Sequence, residues 1–275
     1  MLTNGTTPLR KPGKPSCYVT SYRPVSLLSS PSKILERIIL KRINHHIENN
    51  HILPPFQFGF RQQHSTTHQL LRVVKQIRSG FSRTQSTGMI LLDLKSAFDS
   101  VWQDAIIFKM HNLNFPIYLT KFVQSFLKNR TFKVRINSSF SDAKTIPAGV
   151  PQGAVLSPVL FNIFMADIPV NHNCTSAQFA DDVSILFTCK RTASVKKELQ
   201  QAVKSFAKYV KLWKLKLNPQ KSEAIFFTRR RTRKAFPNRK LQVENQDIEW
   251  KSSAKYLGFT LDQKLTFKEH NLKIW

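Results

Sequence analysis

Residues 88–99 read GMILLDLKSAFD, and this stretch contains the feature on which the fold depends. Met89 to Leu92 form a short, fully apolar run after Gly88, which is typical of a strand buried on both faces. The run ends abruptly at Asp93, where a charge is unfavourable unless something compensates it. Strand termination, a helix N-cap and a metal ligand all fit Asp93 alone, although Asp99 fits the N-cap role better.

A second acidic motif, FADDVSIL at residues 179–186, holds two adjacent aspartates in an apolar segment. Adjacent carboxylates repel each other, so Asp181 and Asp182 destabilise a hairpin unless a cation lies between them. A polar turn is the simpler interpretation, since Asp is common in turns, but no glycine accompanies the pair. Because Mg²⁺ prefers carboxylate and phosphate oxygens, these two residues and Asp93 predict a site for two metal ions.

The rest of the chain mixes helical and strand patterns without regular alternation, which indicates an α+β fold. Residues 1–20 are rich in Pro, Gly, Thr and Lys and predict an extended entry segment. Apolar residues at helical spacing predict helices that begin near Pro31 and cover 70–77, 100–112, 117–128, 158–167 and 195–210. Strands are predicted at 89–92, 132–136, 223–227, 241–250 and 256–261, with a hairpin at 179–187 that has the acids at its bend.

The charge of the chain is strongly positive, with 43 Lys and Arg against 16 Asp and Glu. The net charge of +27 favours a polyanionic partner, either nucleic acid or an anionic membrane surface. A solvated surface that only keeps the protein soluble is the alternative. The longest apolar stretch, residues 159–166, is interrupted by Asn162 and is too short to span a bilayer, so we expect no membrane partner.

The three cysteines are scattered and odd in number, which favours neither a disulfide framework nor a zinc knuckle. Since the sequence also shows no signal peptide, we expect the nucleus, the cytoplasm or both. His64 and His68 have the spacing of a helical zinc pair, but HSTTH lacks the Glu of HExxH and a third ligand. We therefore do not predict zinc.

Seven segments follow one another along the chain: SYRPVSLLSSPSKILERII (21–39), FQFGFRQQHSTTHQL (56–70), LLDLKSAFDSVW (91–102), GVPQGAVLSPVLFNIF (149–164), FADDVSIL (179–186), KLNPQKSE (216–223) and KYLGF (255–259). In this order they resemble the reverse transcriptases of non-LTR retrotransposons, most closely the jockey-type group of arthropods. The resemblance implies a right-hand polymerase fold, with fingers and palm in residues 21–262 and the start of a truncated thumb in residues 263–275. It also implies RNA-templated DNA synthesis, with an RNA template, a DNA primer and deoxynucleoside triphosphates as partners and an endonuclease domain in the full-length element.

The resemblance assigns the catalytic acids. Asp93, Asp181 and Asp182 match the ligands of two Mg²⁺ ions, or of Mn²⁺ in their place, with Asp181 the firmer ligand of the pair. The carbonyl of Leu94 is implied as a further ligand. Lys221 in LNPQKSE matches a lysine that helps to protonate the leaving pyrophosphate.

Residues around the incoming nucleotide follow from the same resemblance. Phe98 matches the aromatic steric gate that fills the space of a ribose 2′-hydroxyl, although an ordinary core Phe is the alternative. Gln152 and Gly153 match a segment beside the nucleotide and the template, where a plain loop-to-helix junction also fits. Arg61 in FGFR matches a basic position of the fingers, close to the triphosphate or template.

Contacts with the template and primer are implied for Arg23, Tyr256, Leu257, Gly258, Arg229, Arg230 and Arg231. Tyr256 to Gly258 match the primer grip, and Arg23 fits a solvated surface arginine equally well. The basic run at residues 229–234 fits a nuclear localisation signal or a solvated loop as well, but contact with a phosphate backbone ranks first. Two rivals stay open for the whole chain: an inactive nucleic-acid-binding relic of such an element, and a reverse transcriptase of the group II intron type.

Overall fold

The computed structural model describes residues 3–10, 12–13, 15–18, 21–27, 29–136, 138–230, 237 and 240–271, with side chains for all of these except 3–7, 23–24 and 26–27. The helices are α1 (Ser30–Asn49), α2 (Thr66–Ser82), α3 (Ala97–Ser100), α4 (Gln103–Asn112), α5 (Ile117–Leu127), α6 (Ser157–Phe164), α7 (Thr192–Leu212) and α8 (Lys268–Asn271). The strands are β1 (Thr3–Arg10), β2 (Tyr22–Leu27), β3 (Ser86–Leu92), β4 (Thr131–Ile136), β5 (Ser139–Phe140), β6 (Lys144–Thr145), β7 (Thr175–Phe179), β8 (Asp182–Cys189), β9 (Glu223–Phe227), β10 (Leu241–Val243), β11 (Gln246–Ile248), β12 (Trp250–Lys251), β13 (Ser253–Tyr256) and β14 (Phe259–Asp262). The chain divides into two compact units, Met1–Leu53 with Ser96–Ala166, and Pro54–Lys95 with Asp167–Trp275.

The first unit contains a sheet in the order β2-β1-β4-β5, with β6 also paired to β4. Helix α6 is buried on nearly all sides and packs against α4. Charged side chains satisfy both of its ends: the buried carboxylate of Glu36 accepts a hydrogen bond from the Leu156 backbone N–H at 3.1 Å, and the Lys109 ammonium donates to the Phe164 carbonyl. These charges match the polarity of the helix ends, which stabilises an apolar helix in a buried position.

The second unit is built on a sheet in the order β12-β9-β3-β8-β7, with β3 at its centre. One face of the sheet carries Met89, Leu186 and Phe227, which form a core with α2 and the hairpin of β13 and β14. Helix α7 contacts β3 and β8. The predicted buried strand at 89–92 is therefore confirmed, because β3 has a neighbouring strand on both sides and is buried along nearly its whole length.

Each of two predicted strands is interrupted by a turn, so neither is one continuous strand. Residues 241–250 contain the antiparallel pair β10 and β11, joined by Glu244 and Asn245 with φ of 46° and 66°. Residues 256–261 belong to β13 and β14, joined by Leu257 and Gly258 with φ of 47° and 90°. Two consecutive positive φ angles are typical of a type I′ turn, but neither Glu-Asn nor Leu-Gly is its usual sequence signal.

Among the residues that the structure describes, no helix combines the length and the apolar character that a membrane span needs.

Candidate active site

Two of the predicted catalytic acids lie on neighbouring strands of the second unit. Asp93 directly follows β3 and Asp182 begins β8. The last pair of this antiparallel ladder joins Leu92 to Val183, so the register sets Asp93 opposite Asp182. Opposite residues project from the same face of a sheet, and both acids line one crevice of about 420 Å³. We call this the acid crevice; it is also lined by Leu91, Leu92, Val183, Gln220, Lys221, Glu223, Lys255, Tyr256 and Leu257.

Asp181 lies in the tight turn between β7 and β8. Phe179 pairs with Asp182, so Ala180 and Asp181 form a two-residue loop. Ala180 has a φ of 58°, in the left-handed region that the first position of a hairpin turn requires. The sequence offers no glycine here, and an alanine in this conformation persists only where its surroundings hold it.

The segment FQFGFR holds this turn in place. Gln57 forms a parallel bridge with Gln178, and the Gln57 side-chain oxygen accepts hydrogen bonds from the N–H groups of Gly59 at 2.7 Å and Ala180 at 3.2 Å. A Cβ at Gly59 would lie 2.3 Å from the Ala180 nitrogen, so only glycine permits this approach. Arg61 is half-buried at the end of the same segment.

The electrostatics of the acid crevice fit a cation. Burial, then the charges of Asp181 and Asp93, raise the pKa of Asp182 to about 6. Asp182 keeps solvent exposure on one side, but the protein around the crevice removes part of its hydration. A divalent ion offsets this repulsion, and carboxylate oxygens are suitable donors for Mg²⁺.

The acids do not form a closed metal cage. Within the described part of the chain, no three His, Cys, Asp or Glu side chains come close enough together to hold a metal ion. Sites of this kind bind Mg²⁺ through one or two carboxylates plus substrate phosphates, so an open arrangement agrees with a nucleotide-dependent site. The donor set therefore fits a divalent metal whose coordination a substrate completes.

Asp93 is held by a loop whose contribution the sequence did not reveal. The Asn218 side chain donates to the Asp93 carboxylate at 2.8 Å, and its backbone N–H donates to the Asp93 carbonyl at 2.8 Å. The Ser222 hydroxyl accepts from the Asp93 backbone N–H at 3.3 Å. Leu94 forms an antiparallel bridge with Leu217. The backbone hydrogen bonds of this bridge are made by the residues on either side of Leu94, so they do not use the Leu94 carbonyl. The only signal for Asn218 was its position in the motif LNPQKSE.

Two further predicted groups border the acid crevice. Lys221 is exposed at its edge. Tyr256 is buried, and burial raises the pKa of its hydroxyl to about 12. Leu257 also lines the crevice, and Gly258 completes the turn beside it. The structure thus brings Asp93, Asp182, Lys221 and the predicted primer grip together within the second unit.

The predicted nucleotide-selecting residues lie in the first unit. Phe98 is stacked on Phe161, with ring centroids 4.7 Å apart and an interplanar angle of 24°. The Gln152 side-chain amide donates to both carboxylate oxygens of Asp99, at 2.8 and 2.9 Å. A Cβ at Gly149 would lie 2.7 Å from the Asp99 carbonyl oxygen, so the GVPQG loop packs directly on this segment. Gly153 follows in the same loop with a φ of 97°.

The arginines that are predicted to bind the template and primer have varied surroundings. Arg23 lies in β2, with its side chain outside the described atoms, and Arg231 lies outside the described residues. Arg230 donates to the carbonyls of Lys190 at 2.8 Å and Thr84 at 2.7 Å. The Arg229 guanidinium lies 4.8 Å from the ring centroid of Phe81. Arg229 and Arg230 therefore have partners within the protein, and their contact with nucleic acid stays a prediction.

Comparison with known families finds a match that covers most of the chain. A family described as "Reverse transcriptase (RNA-dependent DNA polymerase)" matches residues 9–261. The chain belongs to the reverse transcriptase family. It is 38% identical over 270 residues to the "Probable RNA-directed DNA polymerase from transposon BS" of Drosophila melanogaster, covering 95% of this chain and 30% of that protein. It is 37% identical over 270 residues to the "RNA-directed DNA polymerase from mobile element jockey" of Drosophila melanogaster, covering 95% and 29%.

These relatives confirm the predicted likeness to jockey-type reverse transcriptases. This reverse transcriptase chain spans only about 30% of the length of the relatives it matches, as the coverage of 30% and 29% shows. Among solved structures it is similar to apo telomerase from Candida tropicalis truncated from its C-terminal domain, with a TM-score of 0.61, 12% identity and coverage of 97% and 54%. It is also similar to telomerase from Candida albicans in complex with a TWJ fragment of telomeric RNA, with a TM-score of 0.58, 11% identity and coverage of 94% and 44%.

The structural likeness bears on the fold alone. The predicted α+β right-hand polymerase fold is confirmed by it. The boundaries predicted for the entry segment, for the fingers and palm at 21–262, and for a truncated thumb at 263–275 stay predictions.

Proposed function

We propose that this chain carries the polymerase site of a non-LTR retrotransposon's RNA-directed DNA polymerase, which adds deoxynucleotides to a primer 3′-hydroxyl along an RNA template. The observation that carries the proposal is the register of β3 and β8, which sets Asp93 opposite Asp182 beside the turn that holds Asp181. Membership of the reverse transcriptase family supports the same function.

Divalent metal ions belong to this proposal. Asp93, Asp181, Asp182 and the carbonyl of Leu94 would hold two ions, Mg²⁺ or Mn²⁺. When bound, the ions supply charge neutralisation at the α-phosphate and at the attacking and leaving oxygens. Asn218 fixes the Asp93 carboxylate through a hydrogen bond of 2.8 Å, so that this ligand does not reorganise during the reaction.

The reaction is an in-line displacement. The primer 3′-hydroxyl gives up its proton to solvent water, and its oxygen forms a bond to the α-phosphorus while the bond from that phosphorus to the bridging oxygen of pyrophosphate breaks. Lys221, at the edge of the acid crevice, donates a proton to the leaving pyrophosphate. Arg61 provides positive charge for the triphosphate or template.

Other residues select and align the substrates. Phe98, whose ring is fixed by stacking on Phe161, excludes a ribose 2′-hydroxyl. Gln152 and Gly153 contact the nucleotide and template, and Tyr256, Leu257 and Gly258 support the primer end. Arg23 and the basic residues at 229–231 contact strand phosphates, in keeping with the net charge of +27.

Parts of the proposal concern the full-length element. An endonuclease domain would lie in the portion of the relatives that this chain does not cover, and the nucleus, the cytoplasm or both would be the site of action. The RNA template, the DNA primer and the deoxynucleoside triphosphates are the partners that the chain itself would bind.

Primer extension tests the proposal. The 275-residue chain is incubated with poly(rA)/oligo(dT), thymidine triphosphate and Mg²⁺. We expect extension by the wild type and by Asp142→Ala, which removes an exposed loop carboxylate, and none by Asp181→Ala. The same background in the wild type and Asp181→Ala would reject the function and favour an inactive nucleic-acid-binding relic.

A further inference from the structure

The first unit contains a cavity of about 320 Å³, and of the described residues that line it the proposed function uses only Gln152. Its walls are mainly apolar, with Phe132, Pro147 and Val150 among them. Four polar side chains also line it: Asp99, Arg130, Thr145 and Gln152. An apolar cavity with a few polar groups is the usual form of a ligand site, so the state of each polar group matters.

Arg130 carries a buried charge that has no counter-charge among the described residues. It lies between α5 and β4, with a relative exposure of only 8%. Its Nη1 atom is buried and has no hydrogen-bond partner among the described residues. Burial lowers the pKa of the guanidinium, and no carboxylate in the described part of the chain offsets that effect. Arginine is rarely buried in this state, because a charge away from water needs a partner.

Asp99 is the acid that shares the cavity, but it is engaged elsewhere. Both of its carboxylate oxygens accept hydrogen bonds from the Gln152 amide, at 2.8 and 2.9 Å. Asp99 is also exposed, whereas Arg130 is buried, so the carboxylate remains at the rim. Among the described residues Arg130 therefore keeps an uncompensated charge, which an anionic group entering the cavity would neutralise.

We propose that this cavity binds a phosphodiester group of a nucleic acid strand, with the Arg130 guanidinium as its counter-charge. A guanidinium presents parallel N–H donors that match two phosphate oxygens. The apolar walls accept the sugar beside the phosphate, and they disfavour free phosphate or triphosphate, which carry more charge and more bound water. The net charge of +27 favours such a strand, and the identity of the strand as template or primer rests on the proposed function.

The test compares Arg130→Met with the wild type in the full chain. Methionine keeps an unbranched apolar side chain while it removes the charge. Arg78→Met is the matched control, since it removes an exposed arginine from α2. Affinity for an RNA–DNA duplex is measured by fluorescence anisotropy over a salt series, without nucleotide or divalent ions.

We expect Arg130→Met to weaken duplex binding roughly tenfold, as loss of one charge-assisted phosphate contact does. The slope of log affinity against log salt should become shallower by about 0.9, the value for one phosphate. Arg78→Met should change neither quantity. The thermal midpoint of Arg130→Met should equal or exceed that of the wild type, because an uncompensated buried charge is removed. A lower thermal midpoint, or unchanged affinity and slope, overturns the proposal.

Further titrations distinguish the phosphodiester of a nucleic acid strand from small phosphate anions as the ligand of the cavity. Inorganic phosphate and a deoxynucleoside triphosphate should bind Arg130→Met and the wild type equally. Unchanged duplex affinity with weaker binding of either small anion would overturn the proposal. Primer extension is scored separately. Duplex binding that depends on Arg130, without primer extension, supports the inference and rejects the polymerase function. Primer extension with duplex binding that does not depend on Arg130 supports the polymerase function and rejects the inference.

Discussion

Asp93 receives hydrogen bonds from Asn218 on both its side chain and its carbonyl, and its own N–H donates to Ser222. A carboxylate held in this way keeps its position while charge develops next to it. At the scale of single residues, we therefore expect the rate to depend on Asn218, which is not among the described residues that line the acid crevice. We regard Asn218 as a positioning residue.

Asn218→Ala should lower kcat by about 10- to 100-fold, the usual effect of losing a partner of a metal-binding side chain. KM for the nucleotide and affinity for the duplex should change little, because the strand-binding surface remains. Asn112→Ala, which removes an exposed amide from the end of α4, is the control. A loss that appears in duplex affinity with kcat unchanged would contradict the positioning role.

Phe98 has two proposed roles, as a steric gate and as a packed core residue, and one substitution distinguishes them. Phe98→Val should raise the ratio of ribonucleotide to deoxynucleotide incorporation by roughly 10- to 100-fold, since it opens space for a 2′-hydroxyl. It should also lower the free energy of unfolding by about 1–3 kcal/mol through loss of the stack on Phe161. Single-nucleotide kinetics measure the ratio, with Phe108→Val, at an exposed position of α4, as the control. An unchanged ratio would make Phe98 an ordinary packed residue.

At the scale of elements, the hairpin of β7 and β8 depends on the segment that runs beside it. Gly59→Ala forces a Cβ to within 2.3 Å of the Ala180 nitrogen unless the turn moves. We expect the free energy of unfolding to fall by about 1–3 kcal/mol and kcat to fall by about 100-fold, since a displacement near 1 Å is enough for such a loss. Chemical denaturation and single-turnover kinetics test this, with the exposed Gln62→Ala as control. Wild-type kinetics in Gly59→Ala would show that the turn tolerates displacement.

Asp262, at the end of β14, organises the loop that leads to α8. Its carboxylate accepts hydrogen bonds from the backbone N–H groups of Lys264, Thr266 and Phe267 and from the Thr266 hydroxyl. Burial alone would raise the pKa of Asp262, but these hydrogen bonds lower it below its ordinary value. A lowered folded-state pKa means that Asp262 stabilises the fold above its unfolded pKa of about 4, and that this contribution is lost as pH falls through the folded value.

Asp262→Ala should therefore lower the free energy of unfolding by about 1–2 kcal/mol at neutral pH, the size of a typical cap. The difference from the wild type should shrink as the pH falls below about 4, because the wild-type carboxyl then becomes protonated. Thermal unfolding across this pH range is the measurement, with the exposed Asp142→Ala as control. If the difference in stability between Asp262→Ala and the wild type stays constant with pH, the charge of Asp262 does not stabilise the fold.

Sequence patterns predicted the periodic elements and missed the contacts between distant segments. The apolar run of β3 and the helical spacing of α7 are local signals, and both were interpreted correctly. The turn at Glu244 and Asn245 contains no glycine, so the sequence pattern predicts one strand where the structure has the hairpin of β10 and β11. The contacts of Gln57 with Ala180 and of Asn218 with Asp93 join residues 123 and 125 positions apart, and no spacing rule reports such pairs.

At the scale of the whole molecule, the chain combines a net charge of +27 with three carboxylates that the proposed function assigns to catalysis. The positive charge favours nucleic acid binding over a wide surface, whereas the proposed catalytic site is confined to the acid crevice and the adjoining turn. The chain spans about 30% of the relatives that it matches, with coverage of 30% and 29%. A binding measurement alone therefore cannot establish catalysis, which has to be tested at the acids themselves.

Single-turnover incorporation of one deoxynucleotide opposite an RNA template tests the central claim most directly. The rate is compared among the wild type, Asp93→Asn, Asp181→Asn and Asp182→Asn, with Asp142→Asn as an exposed control. We predict losses of at least about 10³-fold for Asp93→Asn and Asp181→Asn, a smaller loss for Asp182→Asn, and duplex affinity no weaker than that of the wild type. A rate in Asp93→Asn or Asp181→Asn equal to that of Asp142→Asn would contradict the account.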